Sequence, residues 1–174
     1  MDVRRLTDLD LDPTDRVVLA NVAEHGVHVS YILPERGTPG WHFSVGIYAS
    51  YQQPEVITFG LTHDVGHFVI NALARHAREG NSLASDALYP GLLEGVSCTL
   101  KPVAPVWYEP LLGVANWFYR GQFFPVMQCV WPDHSQVFPW SSEFPSDWRW
   151  AQPLLWHEDR REALMESILG SMPG

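Results

Sequence analysis

His63 and His67 stand one helical turn apart, and His-x-x-x-His on a helix puts two imidazoles on one face at the spacing that metal chelation needs. No Glu follows His63, so the zinc-protease pattern is absent. A metal there would need a third ligand from His42, His134 or Asp133. The plainer reading is two solvated or interface histidines. A second group is Trp131-Pro132-Asp133-His134 with Phe138-Pro139-Trp140. An aromatic hairpin with a carboxylate and an imidazole at its tip suits the floor of a small-molecule pocket. The plainer reading here is turn chemistry, with Asp133 after Pro132 nucleating the reversal. Adding the neighbouring pair Trp41 and His42 gives a candidate binding set of Trp41, His42, Trp131, Asp133, His134 and Trp140. Cys98 and Cys129 lie in apolar, strand-like runs and read as buried thiols rather than nucleophiles. Glu55 and Glu94 are each a general base or a turn residue, and His76 reads as a structural histidine. No nucleophile elbow and no Gly-rich phosphate loop after a strand is present.

These side chains need elements to hold them. The block Gly40 to Gly80 reads as two strands, Trp41–Tyr48 and Glu55–Gly60, joined as an antiparallel hairpin and followed by a helix from Thr62 to about Arg78. Val65, Phe68, Val69, Ala72, Leu73 and His76 fall at helical spacing and are the expected core stripe, which turns His63 and His67 away from the core. Upstream, Asp12-Pro13 starts a helix that stops at Gly26, and Val27 to Leu33 alternates as a strand. Downstream, 81–90 reads as a loop, Glu94 to Val103 as a strand, Tyr108 to Tyr119 as a helix, and Phe124 to Trp131 as a strand. Gln136 to Trp140 reads as a short hairpin arm, 141–153 as irregular, and 155–174 as a closing helix. Hairpins dominate over strand–helix–strand alternation. The expectation is therefore α+β: a mainly antiparallel sheet of about five to seven strands packed by two to four helices, in a single domain spanning 1–174 with residues 1–11 flexible.

A net charge of −9 argues against binding a nucleic-acid backbone, which needs clustered Lys and Arg. Hydrophobic residues make up 46%, enough for one real core, yet no run approaches the roughly 18 apolar residues of a membrane span. Acidic residues rather than an apolar stretch follow Met1-Asp2-Val3-Arg4-Arg5, so the expected compartment is the cytoplasm.

Gly40-Trp41-His42-Phe43-Ser44-Val45-Gly46-Ile47 and Pro54-Glu55-Val56-Ile57-Thr58-Phe59-Gly60-Leu61 resemble the signature of a bacterial family catalogued as domain of unknown function 4262. The likeness continues through Leu92-Leu93-Glu94-Gly95, Trp107-Tyr108, Trp117-Phe118-Tyr119 and Gln128-Cys129-Val130-Trp131-Pro132-Asp133, and covers roughly His25 to Leu155. The resemblance implies no particular reaction. It departs at His63-Asp64, where the family pattern has Pro or a small residue, so a role for His63 would be particular to this chain. Three functions compete: a small-molecule-binding or tailoring-enzyme site lined by Trp and His, an accessory or immunity-type protein-interaction module, and a histidine-dependent metal site. A flavin is conceivable only by analogy of fold.

Overall fold

The computed structural model describes residues 11–158. Local chemistry sets the first helix, α1 (Pro13–His25). Asp12 caps it by accepting from the Thr14 and Asp15 amides, Pro13 opens it, and Gly26 in the left-handed region closes it. Strands β1 (His28–Ile32) and β2 (Trp41–Val45) pair antiparallel, with Tyr31 opposite His42. The chain then makes a short helix, α2 (Ile47–Tyr51), before β3 (Glu55–Phe59), which pairs antiparallel with β2. The long helix α3 (His63–Arg78) follows. The second half supplies β4 (Leu88–Leu93), β5 (Val96–Pro102), α4 (Tyr108–Leu111), α5 (Gly113–Tyr119) and β6 (Val126–Val130).

All six strands form one sheet in the order β1-β2-β3-β6-β5-β4. Each half is an antiparallel meander. The seam between them, β3 against β6, is parallel, with Glu55 opposite Val126 and Ile57 opposite Gln128. The fold is α+β with a mostly antiparallel sheet. One face is buried under α3, whose Val69, Ile70 and Leu73 pack on Val56, Leu100 and Cys129. The other is buried under α1, α4 and α5, with Phe43, Ile57 and Phe59 meeting Val18, Leu111 and Phe118. No helix among the described residues is long and apolar enough to cross a membrane.

Several expectations change. Residues 81–90 are not all loop, because Leu88–Leu93 is an edge strand, where Pro90 is tolerated since one side of the strand needs no partner. The strand beginning at Trp41 stops at Val45, because Gly46 in the left-handed region turns the chain into α2. The helix expected over 108–119 breaks at Leu112 into two short ones. The hairpin arm at 136–140 is absent, and those residues form turns. Of the closing helix, only 155–158 fall among the described residues, and they form a turn. The remainder of that helix, and 1–10 of the N-terminal segment, lie outside the described residues.

The buried stripe of α3 is also not the expected one. Gly66, Val69, Ile70, Leu73, Ala74 and Ala77 face the sheet, while Val65 and Phe68 are exposed, Phe68 by 49%. The face is turned by about 100°, or one residue. Small side chains at Gly66, Ala74 and Ala77 let the helix approach closely, and counting only large apolar residues misses them. His63 and His67 remain exposed, on the flank of the buried face rather than opposite it.

Candidate functional site

Beyond the N-terminal end of α3 lies a cleft of about 710 Å³. One wall is Tyr31 with Pro34, Pro39 and Gly40, from the end of β1 and the loop after it. The floor is Trp131, Leu61 and His63. The facing wall is Asp147, Trp148, Trp150 and Ala151, from a 3-10 turn over Ser146–Ala151. With about three residues per turn, positions 147 and 150 share one edge and 148 and 151 the next. Arg149 therefore points away, and its guanidinium donates to the carbonyls of Pro139 (2.9 Å), Ser141 (2.6 Å) and Phe144 (3.1 Å).

The turn is seated by backbone fit and by two glutamines. Gly60 has φ +69°, and a Cβ there would stand 2.7 Å from the Ala151 carbonyl oxygen, so only glycine lets the turn lie against the end of β3. Gln152 is buried and mimics a strand partner. Its Oε1 accepts from the Trp131 amide at 3.0 Å and its Nε2 donates to the Trp131 carbonyl at 2.8 Å. Gln128 continues the pattern by donating to the Pro153 carbonyl and accepting from the Leu155 amide. Trp131 is fixed by an indole N–H bond to the Phe59 carbonyl (2.9 Å) and meets Trp148 edge to face at 6.3 Å.

Behind the Tyr31 wall sits His42. It has no exposed surface, and neither ring nitrogen has a hydrogen-bond partner of good geometry among the described residues. Tyr31 stacks on it at 4.2 Å, and the His63 ring lies 6.0 Å away. Burial, and then the proximity of His63, lower its pKa to about 4, while the His63 backbone pulls weakly the other way. His42 is accordingly neutral at pH 7. On the cleft floor, His63 Nδ1 is 3.1 Å from Asp64 Oδ1. A carboxylate only accepts, so in that contact Nδ1 is the donor.

The other candidate residues go elsewhere. Trp41 is core, its indole N–H bonded to the Leu111 carbonyl. Asp133 Oδ1 accepts from the Ser135 and Val137 amides, which is turn chemistry, and His134 is exposed beside it. Trp140 stacks on Phe138 at 4.6 Å with Lys101 Nζ 5.0 Å over its ring. Of the six candidates, Trp131 lines the cleft and His42 lies one layer behind it. The sequence reading missed Tyr31, Asp147, Trp148 and Trp150. The one available signal was Trp-x-Trp in a segment with no period to bury it.

His67 Nδ1 accepts from Asn71 Nδ2 at 2.9 Å, and the same amide donates to the His67 carbonyl. Among the described residues no group of three or more His, Cys, Asp or Glu side chains is placed to hold a metal. Cys98 and Cys129 are buried free thiols, and Cys129 is pushed well up by its contact with Cys98 and by burial.

Glu55 is fully buried and accepts from the amides of Gly46 (2.9 Å) and Tyr48 (3.0 Å), from Ser44 Oγ and from the Tyr119 hydroxyl. Gly46 offers α2 no side-chain cap, so this carboxylate from β3 satisfies the orphan amides of the first turn. Burial raises its pKa and the four donors oppose that rise. Glu55 is a structural acceptor.

Comparison with curated proteins and with solved structures finds no match. A family model described as Domain of unknown function (DUF4262) matches residues 21–145, more than half of the chain. The match takes in all six strands, α3 and Trp131, and ends just before the turn that carries Trp148 and Trp150. The chain belongs to the DUF4262 family.

Proposed function

We propose that this protein binds a small organic molecule in the cleft between Tyr31, Trp131 and the Trp148–Trp150 turn. One observation carries the reading. Two indoles, 48% and 62% exposed, are held open around a concave, mostly apolar space instead of packing into the core. Large pockets of this kind, with a few polar groups, are the usual setting of ligand sites. Where the ligand is also a substrate, as in a tailoring enzyme, His63 is the group placed to take a proton, with Asp64 orienting it. Native mass spectrometry of the purified protein, paired with tryptophan fluorescence under a fragment screen, tests this. A bound or added molecule shifts the emission of the native protein, and Trp148→Ala removes the shift. A screen in which no compound's signal depends on Trp148 would sink the reading.

A second reading is a protein-interaction module of the accessory or immunity type. It is favoured by the exposed Val65 and Phe68 of α3 beside edge strand β4, where Phe68 joins 90–97 in a shallow groove. Phe68→Glu then abolishes capture of a partner while leaving ligand binding in the cleft unchanged.

A further inference from the structure

We propose that the cleft selects an organic cation, a substituted ammonium carried on an aromatic or apolar body. The inference rests on the cleft being a ligand site and adds the charge of its occupant. Four aromatic rings line it: Tyr31, Trp131, Trp148 and Trp150. The face of an aromatic ring is negative, and tryptophan attracts a cation most strongly of the three aromatic types. Among the described residues, Asp147 is the one carboxylate that lines the space, and no Lys or Arg lines it. Among the described residues no basic side chain forms an ion pair with Asp147, whose carboxylate accepts a bond only from Ser146 Oγ. The nearest guanidinium along the chain, Arg149, is committed to three carbonyls on the opposite side of the turn.

One feature pulls the other way. The N-terminus of α3 opens at Thr62 and His63, both on the cleft, and a helix start favours anions with roughly half a unit charge. Asp64 in that first turn carries a full negative charge and outweighs it. The net charge of −9 adds a long-range field of the same sign. An anionic ligand would meet Asp147 with no Lys or Arg among the described lining residues to hold it, His63 being the one lining group able to take a positive charge. A cationic ligand meets indole faces and a carboxylate.

Three probes of one shape separate the cases: meta-hydroxyphenyl-trimethylammonium, its uncharged isostere meta-tert-butylphenol, and meta-hydroxybenzenesulfonate. Each is titrated into the full chain by calorimetry at pH 7 and low salt, with the indole N–H signals followed by NMR. The ammonium is expected to bind about tenfold tighter than the isostere, and the sulfonate weakest. Asp147→Asn is expected to cut the ammonium to within about threefold of the isostere while leaving the isostere unchanged. Trp150→Leu, which keeps an apolar wall but removes the ring face, is expected to weaken the ammonium more than the isostere. An isostere or sulfonate that binds as tightly as the ammonium overturns the charge assignment and leaves the cleft a ligand site. So does an Asp147→Asn variant whose ammonium affinity is unchanged. Failure of all three probes at millimolar concentration takes the cleft reading down as well.

Discussion

Gly66 touches His42 across the interface of α3 with the sheet. A Cβ built on Gly66 would stand 2.2 Å from the ring Nδ1. Glycine inside a helix costs about 1 kcal/mol relative to alanine, so Gly66→Ala should stabilise an isolated helix. In this protein the clash with a fully buried ring wins, and Gly66→Ala is expected to destabilise by about 1–3 kcal/mol in urea unfolding. Combining it with His42→Ala should recover most of that loss, because the second change removes the obstacle. Additive losses in the double variant would show that the two residues do not interact.

The charge state of His42 makes stability depend on pH. Its pKa is about 4 in the folded chain against an ordinary value of 6.5, so between those values the unfolded chain holds more protons on this residue. Stability from this group is complete above pH 6.5 and is lost as pH falls through 4, by about 3 kcal/mol in all. Glu55 works in the opposite sense. Its raised pKa means that the folded chain holds the extra proton above the ordinary value of 4.5, so acidification relieves a buried charge. Comparing wild type with His42→Phe isolates the histidine. The variant should show a flatter stability profile between pH 6.5 and 4, and an unchanged slope would refute the assignment.

Tyr119 donates to Glu55 and accepts from the Ala49 amide at 3.2 Å. Burial and the neighbouring carboxylate both raise its pKa, so it remains a donor at any ordinary pH. Tyr119→Phe removes one charge-assisted bond, at an expected cost of about 1.5–3 kcal/mol. Glu55→Ala removes the common acceptor and leaves two α2 amides, a serine and a tyrosine hydroxyl without it, at about 3–5 kcal/mol. Thermal unfolding of the two variants should preserve that order.

Arg149 holds the turn that forms one cleft wall. Arg149→Met keeps the stem but frees three carbonyls, so hydrogen exchange at 139–151 should rise while the amides of β3 and β6 stay protected. Probe binding in the cleft should weaken with it. Wild-type exchange across the turn would mean that the Gly60 contact and Gln152 suffice.

What could be read from the chain follows the range of the interactions involved. The ends of α1 are written in adjacent residues, Asp12, Pro13 and Gly26, and the period of β2 and β3 is visible in five residues each. The parallel pairing of Glu55 with Val126 has no local signature, because nothing near either residue encodes the other. The face of α3 was misjudged since its closest contacts are made by glycine and alanine. In the site, Trp131 was legible as an aromatic beside a turn. Trp148 and Trp150 were not, because a 3-10 turn of six residues has no amphipathic period to recognise.

The two meanders share their covers. Helix α3 packs on β1, β2 and β3 of its own half and reaches over to β4 of the second, and α5 of the second half packs on β2 of the first. Neither half can dry both of its faces without the other, so a cut in the 79–87 connection would leave two fragments that are each half-naked and adhesive. They are expected to fold only on meeting, by completing each other. The intact chain should accordingly melt in one step, with no stable half-structure along the way.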